Sequence, residues 1–116
     1  MMGKSQQRKG NAGEKELSDI LNAEGFITTP GGSQTYGTVP DVSGLRGIHI
    51  EVKRVERLSL DKAMQQACKD ADRFRDGLPA VFHRRNRQPW LVTMPLDCWL
   101  RIYKAALRAP KSERKK

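Results

Sequence analysis

The sequence predicts an α/β domain, a mixed central β-sheet flanked by helices, with elements in the order α-β-β-β-α-β-β-α. Two local patterns carry that expectation. "IHIEVKRV" at 48–55 alternates apolar and polar residues and is rich in β-branched side chains, as a strand packed on a core is. Residues 60–75 then switch to helical spacing, with Leu60, Ala63, Met64, Ala67, Ala71 and Phe74 on one face. A chain of 116 residues that is 30% charged and 37% hydrophobic suits one soluble domain with a modest core better than a disordered polymer.

The remaining elements follow in order. Residues 11–24 read as a helix with Leu17, Ile20 and Leu21 as its apolar stripe and Gly25 as its stop. "FITT" suggests a short strand that enters the Gly- and Thr-rich loop "PGGSQTYGTVP". A second strand starts near Asp41 and Val42, and "SGLRG" supplies the turn before 48–55. Asp76-Gly77 ends the second helix. "LPAVFHRR" and "PWLVTM" read as two strands joined around Asn86, and residues 97–108 as a last helix with Trp99 or Leu100, Tyr103 and Leu107 inward. We expect residues 9–108 to form the domain, with basic flexible ends at 1–8 and 109–116.

Charge narrows the function. Lys and Arg total 22 against 13 acids, a net charge of +9, and the excess is spread through "KRVER", "HRRNR" and "LRIYKAALR" as well as the two ends. Such an excess attracts polyanions, so a nucleic acid is the expected partner. No apolar run approaches a membrane span, and "MMGKSQQRKG" has no apolar signal region, so a cytoplasmic location away from membranes is expected. Cys68 and Cys98 belong to no CxxC or Cys/His cluster and are expected as reduced thiols within apolar helical patterns.

The chemistry lies in "PDVSGLRGIHIEVK". On an alternating strand Ile48, Ile50 and Val52 share one face, while His49, Glu51 and Lys53 share the other. Pro40 extends the residue before it and delivers Asp41 at a strand end. If the two strands are neighbours, Asp41 and Glu51 converge. Two carboxylates with a nearby backbone carbonyl are the hard oxygen set that Mg²⁺ prefers. An ion held there polarises a phosphodiester and acidifies water, and Lys53 is placed to orient that water and offset charge on the phosphate. Glu14 falls three residues before Leu17 and seven before Leu21, on the inward stripe of the first helix, where a carboxylate needs a partner such as a metal site. Alternatively, Asn11 and Glu14 form a capping box.

Other residues are candidates for binding or packing. Lys62, Gln66, Lys69 and Arg73 form a polar, mostly basic stripe, either a solvated face or one that meets phosphates. His49 and His83 have no partner pattern for triads or zinc and suit surface or hydrogen-bonded roles. Ser33 in "GGSQ" suits a phosphate or substrate contact. Trp90, Trp99 and Tyr103 fall at inward spacings and are expected in the core.

With these residues in hand, the chain resembles the PD-(D/E)XK nuclease superfamily. More narrowly, it is similar to the small archaeal-type Holliday junction resolvases and the short endonucleases of phages and prophages. The resemblance runs from about residue 9 to 82, through "KGNAGEKEL", "GF…GGS", "PDV", "IEVK" and "QQACKDADRF". It implies a restriction-endonuclease-like core at 9–108, a catalytic set of Glu14, Asp41, Glu51 and Lys53, and metal ligation by Asp41, Glu51, the Val52 carbonyl and Glu14. Ser33 and Gln66 are implied as accessory residues. A homodimer acting on branched DNA with Mg²⁺ or Mn²⁺ is implied too. Lys9, Arg8, Lys15, Arg54, Lys62, Lys69, Arg73, Arg84 and Arg85 are the expected DNA contacts. Lys15 stands where the cellular resolvases tend to have Arg after the helix Glu, and Thr29-Pro30 where Arg precedes their Gly-Ser loop. Three functions are weighed: a metal-dependent endonuclease that resolves four-way junctions as a dimer, a VRR-NUC-like phage nuclease on flaps, nicks or less selective DNA, and a DNA-binding protein on an inactive nuclease fold. The intact Asp41, Glu51 and Lys53 argue against the third.

Overall fold

The structure is a computed structural model that describes the backbone at residues 4–32 and 38–110 and the side chains of those residues from 12 onward. Helix α1 (Lys4–Ala23) is followed by strands β1 (Thr29–Pro30), β2 (Val42–Ser43) and β3 (Gly47–Arg54). Helix α2 (Leu60–Phe74), strands β4 (Gly77–Arg84) and β5 (Leu91–Thr93), and helix α3 (Leu96–Arg108) complete the order that the sequence predicts. One five-stranded sheet runs β1-β2-β3-β4-β5. β3 and β4 are parallel, joined through α2, and every other pair is antiparallel.

The sheet is covered on both faces near its centre. Leu17 of α1 packs with Val42, Ile50, Val52, Ala80 and Phe82 on one side. Ala63 and Ala67 of α2 pack with Val81 on the other. The small alanines let α2 lie close to β3 and β4, which brings its polar flank up to the strand face that carries Glu51. His49 and Glu51 are therefore buried, where a half-solvated strand face would leave them wet.

α1 begins at Lys4 rather than at residue 11. Gly10, Asn11 and Gly13 are weak helix formers, which is why the sequence suggests a later start. At Gly13 close packing outweighs propensity: a Cβ there would meet the Arg54 Cβ at 2.9 Å, so the glycine lets the helix approach β3. At the other end Gly25, with φ of 102°, closes the helix. The Phe26 N–H donates to the Leu21 carbonyl and the Gly25 N–H to the Asn22 carbonyl, a Schellman closure. Ile20 is on the exposed side of the helix instead of in its stripe.

Three further expectations are corrected. The "FITT" strand shrinks to Thr29–Pro30, and Phe26 and Ile27 are exposed. Thr28 is instead tied under α1 by polar bonds, its N–H to Asn22 Oδ1 at 2.7 Å and its hydroxyl to the Ser18 hydroxyl at 2.7 Å. Trp99 and Tyr103 are not core: each is 48% exposed, and they stack on one another with centroids 5.2 Å apart. Periodicity shows that a helix has an apolar face but not what covers it, and Cys98 is the buried residue of α3. Cys68 is exposed on α2.

Trp90 does pack against the α1-side core, and its ring N–H donates to Glu16 Oε1 at 3.0 Å. The same oxygen accepts from Arg84 Nη1 at 3.0 Å and lies 3.6 Å from Arg54 Nε. Glu16 thus joins α1 to β3, β4 and the approach to β5. Replacing Glu16 with Ala strands two largely covered guanidiniums, and the expected loss of unfolding free energy is about 1–3 kcal/mol. Urea titration checks this; a loss below about 0.5 kcal/mol, within the range of ordinary surface substitutions, would show that the hub does not hold the elements together.

Candidate active site

Val42 pairs with Ile50, and both side chains enter the α1-side core. Alternation then sends Asp41 and Glu51, the next residues on each strand, to the opposite face together. Their carboxyls act on each other: Asp41 raises the pKa of Glu51. One oxygen of Asp41, Oδ2, accepts the Val52 N–H at 2.9 Å. That N–H therefore points toward β2, as does the carbonyl of the same residue, past the short end of that strand. Lys53 Nζ stands 3.5 Å from Glu51 Oε2.

Glu14 approaches from α1. With the helix starting at Lys4, Asn11 is in its interior, so the capping-box reading of Glu14 is ruled out. Its Oε1 accepts the Gly32 N–H at 3.0 Å. The neighbouring Gly31 N–H donates to the Asp41 carbonyl at 2.7 Å, so the glycine turn links the two acids. A Cβ on Gly31 would lie 2.6 Å from the Pro40 carbonyl oxygen, which reserves that position for glycine.

Burial sets the electrostatics. It pushes Glu51 up to about 7, with the charges of Asp41 and Asp70 adding and Lys53 opposing. It pushes Glu14 to about 7 as well, against the Gly32 hydrogen bond and with help from Asp41. Asp41 is raised for the same first reason, against the Val52 bond and the charges of Lys53 and His49. Crowded carboxyls that resist ionisation are what a divalent cation relieves, and two oxygen donors facing each other beside a strand carbonyl suit Mg²⁺ or Mn²⁺.

Of the other expected residues, Gln66 is exposed and donates to Asp70 Oδ2 at 2.8 Å. Lys62, Lys69 and Arg73 are exposed on the same helix, and Arg85 is exposed after β4. Lys15 pairs with Asp19 at 2.8 Å. Arg54 and Arg84 are engaged with Glu16. Ser33 and the side chains of Arg8 and Lys9 lie outside the described residues. His83 hydrogen-bonds to the Thr93 hydroxyl at 2.8 Å.

Asp70 and the setting of His49 are what the sequence reading missed. Asp70 lies beside the buried Ala67–Ala71 stripe of α2, and that flanking position was the available signal. His49 is 1% exposed, stacks on Phe74 and has Nδ1 2.9 Å from Asp76, a partner 27 residues away.

With this geometry established, the solved structures supply a comparison. The chain is similar to Archaeoglobus fulgidus Hjc, a Holliday junction resolvase from an archaeal hyperthermophile, at 26% identity and a TM-score of 0.53, over 74% of this chain and 72% of that one. The chain has a PD-(D/E)XK resolvase-like fold. No family model matches the chain, and no curated protein does. Within this resolvase-like fold, no helix among the described residues is long and apolar enough to cross a membrane.

The raised carboxyls give a signed pH effect. Glu14 and Glu51 move from 4.5 to about 7 on folding. Through that window the folded protein holds protons that the unfolded chain has released, so this contribution to stability falls as pH rises. In metal-free buffer the melting temperature should fall more between about pH 5 and pH 7.5 in the wild type than in Glu51→Gln, and added Mg²⁺ should raise it more at the higher pH. Calorimetric scans check this; equal pH slopes for the two proteins would contradict the placement of Glu51.

Proposed function

We propose that the protein is a divalent-metal-dependent DNA endonuclease that resolves four-way junctions as a homodimer. The observation that carries this reading is the convergence of Asp41 and Glu51 from neighbouring strands, with Lys53 beside them, in a fold shared with an archaeal resolvase.

The roles follow from position. Asp41, Glu51, the Val52 carbonyl and Glu14 would hold the cation, which when bound supplies Lewis-acid polarisation of the phosphodiester. The Val52 N–H fixes the Asp41 carboxylate in orientation. Lys53 directs an ammonium at the space in front of Glu51, where it orients the attacking water and offsets charge developing on the phosphate. The Gly31–Gly32 turn, held between Glu14 and Asp41, presents backbone toward the substrate, and Ser33 follows it directly. Exposed Lys62, Lys69 and Arg73 on α2, with Arg85, meet the DNA backbone, while Gln66 positions Asp70 at the rim. Arg54 and Arg84 serve the Glu16 hub first.

The apolar face of α3 and β5 supports assembly. Leu91 and Val92 are each 55% exposed and Leu96 is 70% exposed, next to the Trp99–Tyr103 stack. An apolar surface of that kind suits a second copy, and a two-fold dimer presents two equivalent sites to the two strands that a junction requires to be cut.

Purified protein should cut synthetic four-way junctions in Mg²⁺ and bind them roughly tenfold or more tightly than linear duplex, about 1.4 kcal/mol. Asp41→Asn and Glu51→Gln should each slow cleavage roughly hundredfold or more, about 2.7 kcal/mol of barrier, while junction binding persists. Light scattering should give a dimer. Undiminished cleavage in either variant or in EDTA would overturn the reading, and a monomer that cuts linear duplex equally well would replace it with a less selective nuclease.

A further inference from the structure

β3 and the flank of α2 bring a second group of ligand atoms together. His49, Glu51 and Asp70 each offer one ligand atom, and those atoms all lie within 4.8 Å of one another. A cluster of acids alone would say little. Here, however, the third member is a histidine that is 1% exposed and whose Nε2 has no hydrogen-bond partner among the described residues.

A buried ring nitrogen without a partner is costly, and its surroundings say which form it takes. Nδ1 lies 2.9 Å from both oxygens of Asp76. It donates its N–H there, so in the neutral ring, the form that binds a metal, the Nε2 lone pair is the free acceptor. Phe74 stacks on the ring at 6.0 Å and fixes its plane. A carboxylate that receives one ring N–H while the other nitrogen stays open is the arrangement that orients metal-binding histidines. Asp70 is oriented as well: Oδ2 accepts from Gln66 Nε2 at 2.8 Å and Oδ1 lies 3.5 Å from Arg73 Nη2. Asp41 is not part of this cluster, which has Glu51 in common with the Asp41–Glu51 pair.

We propose that His49, Glu51 and Asp70 form a nitrogen-containing site for a divalent transition-metal ion such as Mn²⁺, adjoining the Asp41–Glu51 pair and sharing Glu51 with it. The inference takes the metal-centre part of the proposed function as its premise and adds an element that an all-oxygen centre lacks. Imidazole is a poor ligand for Mg²⁺ and a good one for first-row transition ions, so the site discriminates between metals. Asp76 acts as a positioning residue, through the histidine.

The test is pulsed EPR on the full chain loaded with Mn²⁺. Nitrogen hyperfine coupling should be present in the wild type and in His83→Gln, which removes the chain's other histidine, and absent in His49→Gln. Labelling histidine with heavy nitrogen in His83→Gln should change that coupling, a result that needs no substitution in the core. Asp70→Asn should weaken Mn²⁺ binding roughly tenfold. Bound Mn²⁺ without nitrogen coupling overturns the inference and leaves the nuclease reading in place if junctions are still cut. Coupling in a protein that cuts no DNA upholds the inference and removes the nuclease reading. Failure to bind Mn²⁺ overturns both.

Discussion

Because Val42 pairs with Ile50 in antiparallel register, Asp41 and Glu51 stand opposite each other on one face of the sheet. A slip of one residue would turn Glu51 into the apolar core and Ile50 out of it, so the register that the core demands is the one that assembles the site. The rest of the centre is built onto that pairing. α1 comes close to β3 over Gly13 and hands Glu14 to the glycine turn, and α2 lies close over its alanines and carries Asp70 in from the other side.

The same constraint makes the site a local weakness. Glu14, Asp41 and Glu51 all resist ionisation, chiefly because they are buried, and only Lys53 and His49 oppose that among the side chains acting on them. A protein of this size tolerates such a cluster if other polar contacts hold its elements in place. Glu16 does so on the opposite face of the sheet, where one carboxylate oxygen receives Arg84 and Trp90 and faces Arg54. The Asp41–Glu51 pair and the Glu16 contacts thus lie on opposite faces of the sheet, and Glu14 reaches the pair from α1 through the glycine turn.

Much of this was legible in the sequence, for identifiable reasons. Alternation at 48–55 and helical spacing at 60–75 are strong local signals, and element order followed from them. The facing of Asp41 and Glu51 followed from Pro40-Asp41 and a short turn. What stayed hidden depends on distant partners. Nothing near His49 announces Asp76 or Phe74, and the role of Glu16 requires residues 68 and 74 positions away. Thr28 replaces an apolar strand contact with a polar knot that no periodicity describes. The exposure of Trp99 and Tyr103 was equally unreadable, since an amphipathic helix looks the same whether its apolar face meets its own core or another chain.

The central claim is that Asp41 and Glu51 hold one cation between them. Anomalous diffraction from crystals grown with Mn²⁺ tests it most directly. The account predicts a peak within roughly 2–2.5 Å of a carboxylate oxygen from each residue. Bound Mn²⁺ that touches neither acid, or only residues outside the β2–β3 pairing, would contradict it.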